Sequence, residues 1–197
     1  MRLIVATQNR GKVREIRKAL RRLGFQILAL DDFGNVPGIK EDGRSFSENA
    51  LKKARFYSTL LGELTLSDDS GLEVDALNGL PGIYSARYGG AGATDRVNNE
   101  KLLKELEGVP LSKRGARFRC AIAVVSPQGK EAFVEGACKG RIGFQEKGSR
   151  GFGYDPLFVL PRHGKTMAQL TVDEKNRISH RGKALRRLRK LMKEFMD

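Results

Sequence analysis

The sequence is poor in the residues that build zinc cages and disulfide frameworks. Its 197 residues include two cysteines, two histidines and no tryptophan. Two cysteines alone form neither a four-cysteine metal site nor a disulfide framework. Cys120 and Cys138 both lie in strand-like apolar runs, so we expect buried, reduced thiols. This cysteine usage is typical of a cytoplasmic protein.

The sequence also lacks a long hydrophobic run. No apolar stretch approaches the roughly 20 residues that a membrane-spanning helix needs, and the first residues lack the cleavage pattern of a secretory signal. Hydrophobic residues still make up 40% of the chain, which is enough for a core. The length fits one sizeable domain or two small lobes. We expect a single domain over residues 1–197 without a separable linker, and no association with membranes.

Negative charge is scarce relative to positive charge. The formal net charge is +14, and the cations concentrate in two helix-like segments, residues 10–22 and 181–193. A basic balance favours phosphorylated small molecules or nucleic acid as partners. Most side chains in such runs face solvent, so the net charge does not choose between a nucleotide and a nucleic acid. A basic nucleic-acid-binding module therefore stays an alternative.

Against this basic background stands one acidic segment, Ser67-Asp68-Asp69-Ser70-Gly71. Short apolar runs on both sides, residues 64–66 and 72–77, are typical of strands, which predicts a tight turn at the strand ends. Adjacent carboxylates repel unless something neutralises them, and a hard divalent cation would do so. A solvated Asp-Ser-Gly turn is the alternative interpretation.

The N-terminal segment has the order strand, polar turn, helix. The apolar run 2–6 ends at Thr7-Gln8-Asn9-Arg10-Gly11-Lys12, after which apolar residues recur at helical spacing. This geometry directs backbone N–H groups and the positive end of a helix at an anion, although the glycine spacing is not that of a P-loop. Asn9 and Lys12 are candidate phosphate ligands. An ordinary turn with an exposed lysine is the alternative.

Two further segments carry candidate site residues. Glu41 lies in a loop just before the capping box Ser45–Glu48, and unlike Glu48 it has no structural explanation, which makes it a candidate metal ligand. The glycine-rich segment 148–156 places Phe152 and Tyr154 beside Asp155. Aromatic rings on such a loop can stack on a planar base, or they can belong to the core.

The remaining pattern predicts the fold class. Residues 118–125 and 131–137 are strand-like and are separated by Ser-Pro-Gln-Gly, a strong hairpin signal. The N-terminal half alternates strands with helices, and Thr171 opens a second capping box before a short helix and a basic C-terminal helix. Together these elements indicate an α/β protein with a long mixed β-sheet flanked by helices.

Six motifs occur in order along nearly the whole chain: Thr7–Lys12, Phe46–Ala50, Asp68–Leu72, Pro81–Arg87, Gly151–Pro156 and Ser179–Arg181. Any one of them would be a weak signal. As an ordered set they resemble the inosine triphosphate pyrophosphatase family, the Ham1/RdgB-type nucleoside triphosphate pyrophosphatases.

The resemblance implies a function and an architecture. The family hydrolyses the deaminated purine triphosphates ITP, dITP and XTP to the monophosphate and pyrophosphate, with Mg²⁺ as cofactor, and so removes them from the nucleotide pool. Its members are homodimers whose sheet forms two lobes around a central nucleotide-binding cleft. We therefore expect a cytoplasmic house-cleaning hydrolase without a stable nucleic-acid complex. A related pyrophosphatase that acts on modified pyrimidine or methylated nucleotides is the nearer alternative.

The resemblance also implies roles for individual residues. Asp69 matches the catalytic base and a metal ligand, and Glu41 matches the second ligand, whereas ligand roles for Glu48 and Asp68 are left open. The positions matching substrate contacts are Thr7, Gln8, Asn9, Arg10, Gly11, Lys12, Ser70, Phe152, Gly153, Tyr154, Asp155, Lys175, His180 and Arg181. The first six of these form the phosphate turn, and Phe152 matches the ring that stacks on the base. Lys175, His180 and Arg181 match the groups around the purine edge.

Overall fold

A computed structural model describes residues 1–195. Within them there are seven strands and five α-helices. The strands are β1 (Arg2–Val5), β2 (Gln26–Ala29), β3 (Thr65–Val74), β4 (Gly115–Val125), β5 (Glu131–Ile142), β6 (Phe158–Leu160) and β7 (Lys165–Thr166). The helices are α1 (Arg10–Leu20), α2 (Phe46–Leu61), α3 (Asp95–Glu105), α4 (Val172–Ile178) and α5 (His180–Leu191). None of these helices is both long enough and apolar enough to cross a membrane.

The strands form one mixed sheet in the order β2-β1-β3-β4-β5-β6-β7. Strand β1 lies parallel to both neighbours, with Ile4 opposite Leu28 of β2 and opposite Thr65 of β3. At the other edge, β6 is antiparallel to β5 and β7. The predicted α/β class with a mixed sheet is confirmed.

The chain divides into two compact units. The first comprises residues 1–69, residues 120–136 and the chain from His180 onward, and the second comprises residues 70–119 and 137–179. One undivided domain over residues 1–197, and a nucleotide cleft between two lobes, stay predictions.

The first unit has a helix–sheet–helix core that follows from the alternation of β1. Successive side chains of a strand point to opposite faces of the sheet. Leu3 and Val5 accordingly pack in one cluster with apolar side chains of α1 and α5. Ile4 packs in a separate cluster with Tyr57 of α2. Leu3, Ile4 and Val5 therefore each pack against a helix layer, which explains why three apolar residues follow one another in this short strand.

The second unit encloses a core of its own. Leu72 and Val74 of β3 lie in a cluster with Leu102 of α3, and the ring centroids of Phe118 and Phe158 are 4.5 Å apart within it.

Cys120 and Cys138 are buried, and neither forms a disulfide in the described part of the chain, as expected.

The helix starts agree with the sequence signals, with one difference in detail. Ser45 caps α2 through its side chain, which accepts from the backbone N–H of Glu48. The Glu48 carboxylate reaches the N–H of Arg44 at 2.8 Å rather than that of Ser45. At Thr171 both halves of the predicted capping box form. The predicted short helix and basic C-terminal helix are α4 and α5, and Ser179 alone separates them.

The predicted turn at the acidic segment is wrong. Residues 65–74 form a single ten-residue strand, β3, and Asp68 and Asp69 lie in its interior, where both are buried. The sequence misled because an Asp-Asp-Ser-Gly stretch ordinarily avoids strands. Here buried cations compensate the two carboxylates, and tertiary contacts override the local preference.

A close backbone approach gives a test of the packing in the first unit. A Cβ at Gly136 of β5 would lie 2.2 Å from the carbonyl oxygen of His180 and 2.7 Å from the backbone nitrogen of Ala184. We expect Gly136→Ala to lower the free energy of unfolding by about 1–3 kcal/mol, because overpacking forces backbone shifts. Urea denaturation measures it. The control is Gly38→Ala, since a Cβ at Gly38 meets no atom within 4 Å. Equal stability of the two variants would contradict this packing.

Candidate active site

Strand β3 gives its two adjacent aspartates different surroundings. Neighbouring side chains of a strand leave the sheet on opposite faces. The Asp68 carboxylate accordingly contacts Arg181 of α5 and Lys12 of α1, whereas the Asp69 carboxylate contacts Asn49 of α2. One short sequence therefore produces two carboxylate environments.

Asp68 is the centre of a buried ionic network. The Arg181 guanidinium grips its carboxylate with Nε at 2.8 Å and Nη2 at 3.2 Å. Lys12 Nζ lies 2.6 Å from Oδ1, and Cys120 Sγ lies 2.9 Å from Oδ2. The same guanidinium donates through Nη1 to Glu15 of α1 at 2.6 Å. Two cations and two carboxylates thus balance in this network, in which Asp68, Arg181 and Glu15 are buried and Lys12 is partly exposed.

The pKa shifts in this network follow from mutual pairing. Burial alone would raise the pKa of Asp68, but Arg181 and Lys12 outweigh it and hold that pKa well below the usual 3.8. Burial would likewise lower the pKa of Arg181, but Asp68 and Glu15 raise it well above its usual value. Both side chains therefore stay charged, and the arginine is committed to carboxylates of its own chain.

Asp69 has the opposite character. Its Oδ2 accepts from Asn49 Nδ2 at 3.1 Å, and its Oδ1 lies 3.9 Å from Lys53 Nζ. Burial raises the pKa of Asp69 above the usual 3.8, and Lys53 and Lys12 offset this only in part. A carboxylate with a raised pKa is a stronger base than an ordinary aspartate. Of the two aspartates, Asp69 is the one suited to take a proton.

Three oxygens around Lys53 form a cradle of the kind that hard cations prefer. The Lys53 ammonium lies 2.6 Å from Glu41 Oε1, 2.9 Å from the carbonyl oxygen of Asp68 and 3.9 Å from Asp69 Oδ1. Carboxylate and carbonyl oxygens are the ligands of Mg²⁺ in proteins. The positively charged ammonium lies where a metal cation would bind, so the oxygens of Glu41, Asp68 and Asp69 fit a magnesium ion. Within residues 1–195, no three acidic, histidine or cysteine side chains are grouped tightly enough to hold an ion alone.

The predicted phosphate turn lies at the start of α1. The side-chain oxygen of Asn9 accepts from the N–H of Lys12 at 3.1 Å and thereby caps the helix. Thr7 Oγ1 accepts from the N–H of Asn9 at 3.2 Å. Gln8 and Arg10 are exposed. These contacts fix the shape of the turn, and Lys12 carries its charge into the buried network at Asp68.

The second unit gathers the predicted base-recognition residues around Lys175 of α4. Its ammonium pairs with the Asp155 carboxylate and lies 4.6 Å from the centroid of the Phe152 ring. Asp155 Oδ2 also accepts from the backbone N–H of Phe152 at 3.0 Å. Tyr154 is a core residue, because it is buried and its hydroxyl donates to the Ser85 carbonyl at 2.8 Å. Phe152, which is only partly buried, is the better candidate for stacking on a base.

Two residues of α3 support this loop. The N–H of Gly153 donates to Asp95 Oδ2 at 2.6 Å, and Asn99 Nδ2 donates to the Gly153 carbonyl at 3.2 Å. At Gly151, whose φ is +82°, an added Cβ would lie 2.1 Å from Asp155 Oδ2. Only glycine fits this left-handed position beside the carboxylate.

A model of the Ham1 family matches residues 3–191 of the chain. The chain belongs to the Ham1 family. The resemblance inferred from the six motifs is confirmed at the level of the family.

Its relatives match over almost their whole lengths. The chain is 53% identical over 184 residues to the dITP/XTP pyrophosphatase of Geobacter sulfurreducens, covering 93% of this chain and 92% of that protein. It is 49% identical over 192 residues to the dITP/XTP pyrophosphatase of Desulforamulus reducens, covering 98% and 96%. Among solved structures, a HAM1 protein from Coxiella burnetii is 40% identical with a TM-score of 0.87, covering 98% and 99%.

Sequence reasoning missed several residues of this Ham1-family site. Lys53, Asn49 and Glu15 contact the predicted site residues, and Asp95 and Asn99 support the loop. The signal for Lys53 was present, since it lies three residues after Ala50 and four before Tyr57 on a largely apolar face of α2, where a lysine is out of place. Asn49 lies within the motif Phe46–Ala50 but was given no role. Nothing local marked Glu15, Asp95 and Asn99, because their contacts are long-range. The predicted roles of Ser70 in β3 and of the buried His180 stay predictions.

The buried network leads to a stability prediction. We expect Arg181→Met to lower the free energy of unfolding by about 3–5 kcal/mol, because it leaves buried carboxylates short of a cation. Arg189→Met on the same helix is the control, since Arg189 is exposed and such changes stay within about 0.5 kcal/mol. Urea denaturation at neutral pH measures both. A loss at Arg181 no larger than at Arg189 would contradict the network.

Proposed function

We propose that this chain is a magnesium-dependent nucleoside triphosphate pyrophosphatase that converts deaminated purine triphosphates, ITP, dITP and XTP, to the monophosphate and pyrophosphate. The observation that carries the proposal is the pairing of a basic carboxylate, Asp69, with an oxygen cradle that already holds a cation. Relatives that carry the name dITP/XTP pyrophosphatase over nearly the full length support the substrate class.

Each residue near Asp69 has a task that follows from its position. Asn49 donates to Oδ2 of Asp69 and fixes the carboxylate plane, which leaves Oδ1 toward the cradle. Asp69 orients a water molecule for in-line attack on the first phosphorus and accepts its proton, because its raised pKa makes it a competent base. Lys12 and the N–H groups at the start of α1 bind the phosphate oxygens.

The metal belongs to the same proposal. Glu41 and Asp69 would hold Mg²⁺, which when bound polarises the phosphoryl oxygens and neutralises part of the triphosphate charge. Asp68 is excluded from this ligand set, because Arg181, Lys12 and Cys120 already engage its side-chain oxygens. Its carbonyl oxygen, which faces the cradle, is the part of Asp68 that could contact a cation.

We assign recognition of the purine base to residues of the second unit. Hypoxanthine and xanthine carry a carbonyl at C6, where adenine carries an amino group. The Lys175 ammonium, which Asp155 holds in place, would donate one of its N–H groups to that carbonyl. Against adenine that N–H group would have no acceptor, at a cost of about 1–3 kcal/mol. The Phe152 ring would stack on the base. Arg181 is a weaker candidate for the purine edge than the resemblance implied, because its guanidinium is held by Asp68 and Glu15.

A substrate panel tests the reaction. Full-length protein with Mg²⁺ is incubated with dITP, XTP, dATP, dGTP and dUTP, and products are separated by ion-exchange chromatography. We expect dITP and XTP to give monophosphate and pyrophosphate far faster than the other three. Orthophosphate as the product, or equal rates throughout, would contradict the proposal. A preference for dUTP would instead favour the pyrimidine alternative.

The assignment of Asp69 predicts a large and specific loss. Asp69→Asn keeps the shape of the side chain but removes its basicity, so kcat with dITP should fall by at least about 10²-fold. Asp42→Asn is the matched control, since Asp42 is a loop carboxylate paired with Lys52. Thermal unfolding of both variants is measured to check that they are folded. An Asp69→Asn enzyme with near-normal kcat would refute the assignment.

A cytoplasmic location, a homodimeric state and the absence of a stable nucleic-acid complex are further parts of the proposal. The family resemblance supports the dimer, and size-exclusion chromatography with light scattering measures it. For nucleic acid, the buried acidic centre argues against a binding role for the site, although the net charge of +14 does not.

A further inference from the structure

The Lys53 ammonium occupies the oxygen cradle in which the proposed magnesium would bind. It donates to Glu41 Oε1 at 2.6 Å and to the Asp68 carbonyl at 2.9 Å, with Asp69 Oδ1 at 3.9 Å. Its side chain is only 9% exposed. A lysine in water makes its hydrogen bonds with solvent, whereas this one makes them with the candidate metal ligands.

We propose that Lys53 is a built-in competitor for the metal, which holds the cradle closed to Mg²⁺ until a polyphosphate enters with the ion. The inference rests on the proposed metal site and adds an order of binding to it. It concerns Lys53 as a positioning residue, which decides when Glu41 and Asp69 become available as ligands.

Charge is the first reason. Glu41 and Asp69 supply two negative charges and Lys53 removes one of them, so the occupied cradle offers a divalent ion much less attraction than two bare carboxylates would. An ion that entered beside the ammonium would also meet a like charge a few ångströms away, in a region where burial weakens screening. Metal binding therefore requires the ammonium to move.

Geometry is the second reason. The ammonium–oxygen distances of 2.6 and 2.9 Å are ordinary hydrogen bonds, whereas Mg²⁺ binds its ligands at about 2.0–2.1 Å. The ion would need the same oxygens drawn closer around the same point. The ammonium nitrogen and the ion would occupy the same point among these oxygens, so only one of them can be there at a time.

The triphosphate supplies what the protein side chains alone do not. Its negative charge compensates a displaced lysine, and its oxygens complete the coordination of Mg²⁺, which usually takes one or two protein carboxylates together with substrate phosphates. The nucleotide-free protein should thus bind the metal weakly, and metal and nucleotide should bind together.

Manganese titration without nucleotide tests this competition. Mn²⁺ replaces Mg²⁺ because electron paramagnetic resonance detects the free ion, and the protein is the full-length chain. Lys53→Met and Lys53→Gln should each bind Mn²⁺ at least about tenfold more tightly than the wild type, since a like charge and a competitor are removed. Lys52→Met, which removes the adjacent lysine paired with Asp42, should bind as the wild type does.

Two results would overturn the proposal. One is that both Lys53 variants bind Mn²⁺ no more tightly than the wild type. The other is a gain that survives when Asp69→Asn is added to Lys53→Met, because that gain would belong to a different site.

A second measurement uses the wild type and does not depend on the folding of any variant. Proton–nitrogen NMR spectra of the lysine ammonium groups should show Lys53 protected from solvent exchange without metal and unprotected at saturating Mg²⁺. Protection that persists at saturation would also overturn the proposal. Neither experiment involves turnover, so a negative result leaves the substrate panel valid, and a failed substrate panel leaves these titrations interpretable.

Discussion

The buried pair of Asp68 and Arg181 is the interaction on which the rest of the first unit depends. Removing two ions from water is costly, and the cost is recovered only when hydrogen bonds satisfy both. Here the guanidinium grips one carboxylate with two nitrogens and uses a third for Glu15. In this way β3, α5 and α1 are fixed to one another through a single side chain. Because the pKa of Asp68 is depressed in the folded state, its ionised form favours folding at neutral pH, and this contribution is lost as the pH falls below about 4.

The same pair explains why the sequence predicted the elements better than the site. Strand β1, the helix starts at Ser45 and Thr171, and the hairpin all depend on neighbours a few residues away, and those predictions were confirmed. The acidic segment was read as a turn because its local preference is for a turn. Its real conformation depends on Arg181, which lies 113 residues further along the chain, and no local pattern contains that information.

The distinction between the two aspartates was also beyond the sequence. Because Asp68 and Asp69 are adjacent in the sequence, they look like one acidic cluster that a single cation would neutralise. The alternation of the strand places them on opposite faces, where Asp68 receives its cations from the chain itself and Asp69 receives an amide and a shared lysine. The argument that paired carboxylates require a divalent ion therefore does not apply to Asp68, and for Asp69 it stays a proposal. Glu41 was singled out in the sequence as a candidate metal ligand, whereas its partner Lys53 was overlooked as one more lysine in a basic protein.

The net charge of the chain says little about the charge of the site. The described surroundings of the two aspartates hold three cations, Lys12, Lys53 and Arg181, against four carboxylates, which are Asp68, Asp69, Glu41 and Glu15. A chain with a net charge of +14 thus has a slightly acidic centre. If the centre were as basic as the surface, it would attract a triphosphate but would repel the proposed magnesium ion. A nearly balanced set of charges can accept both, provided that they arrive together and that one of the cations can move.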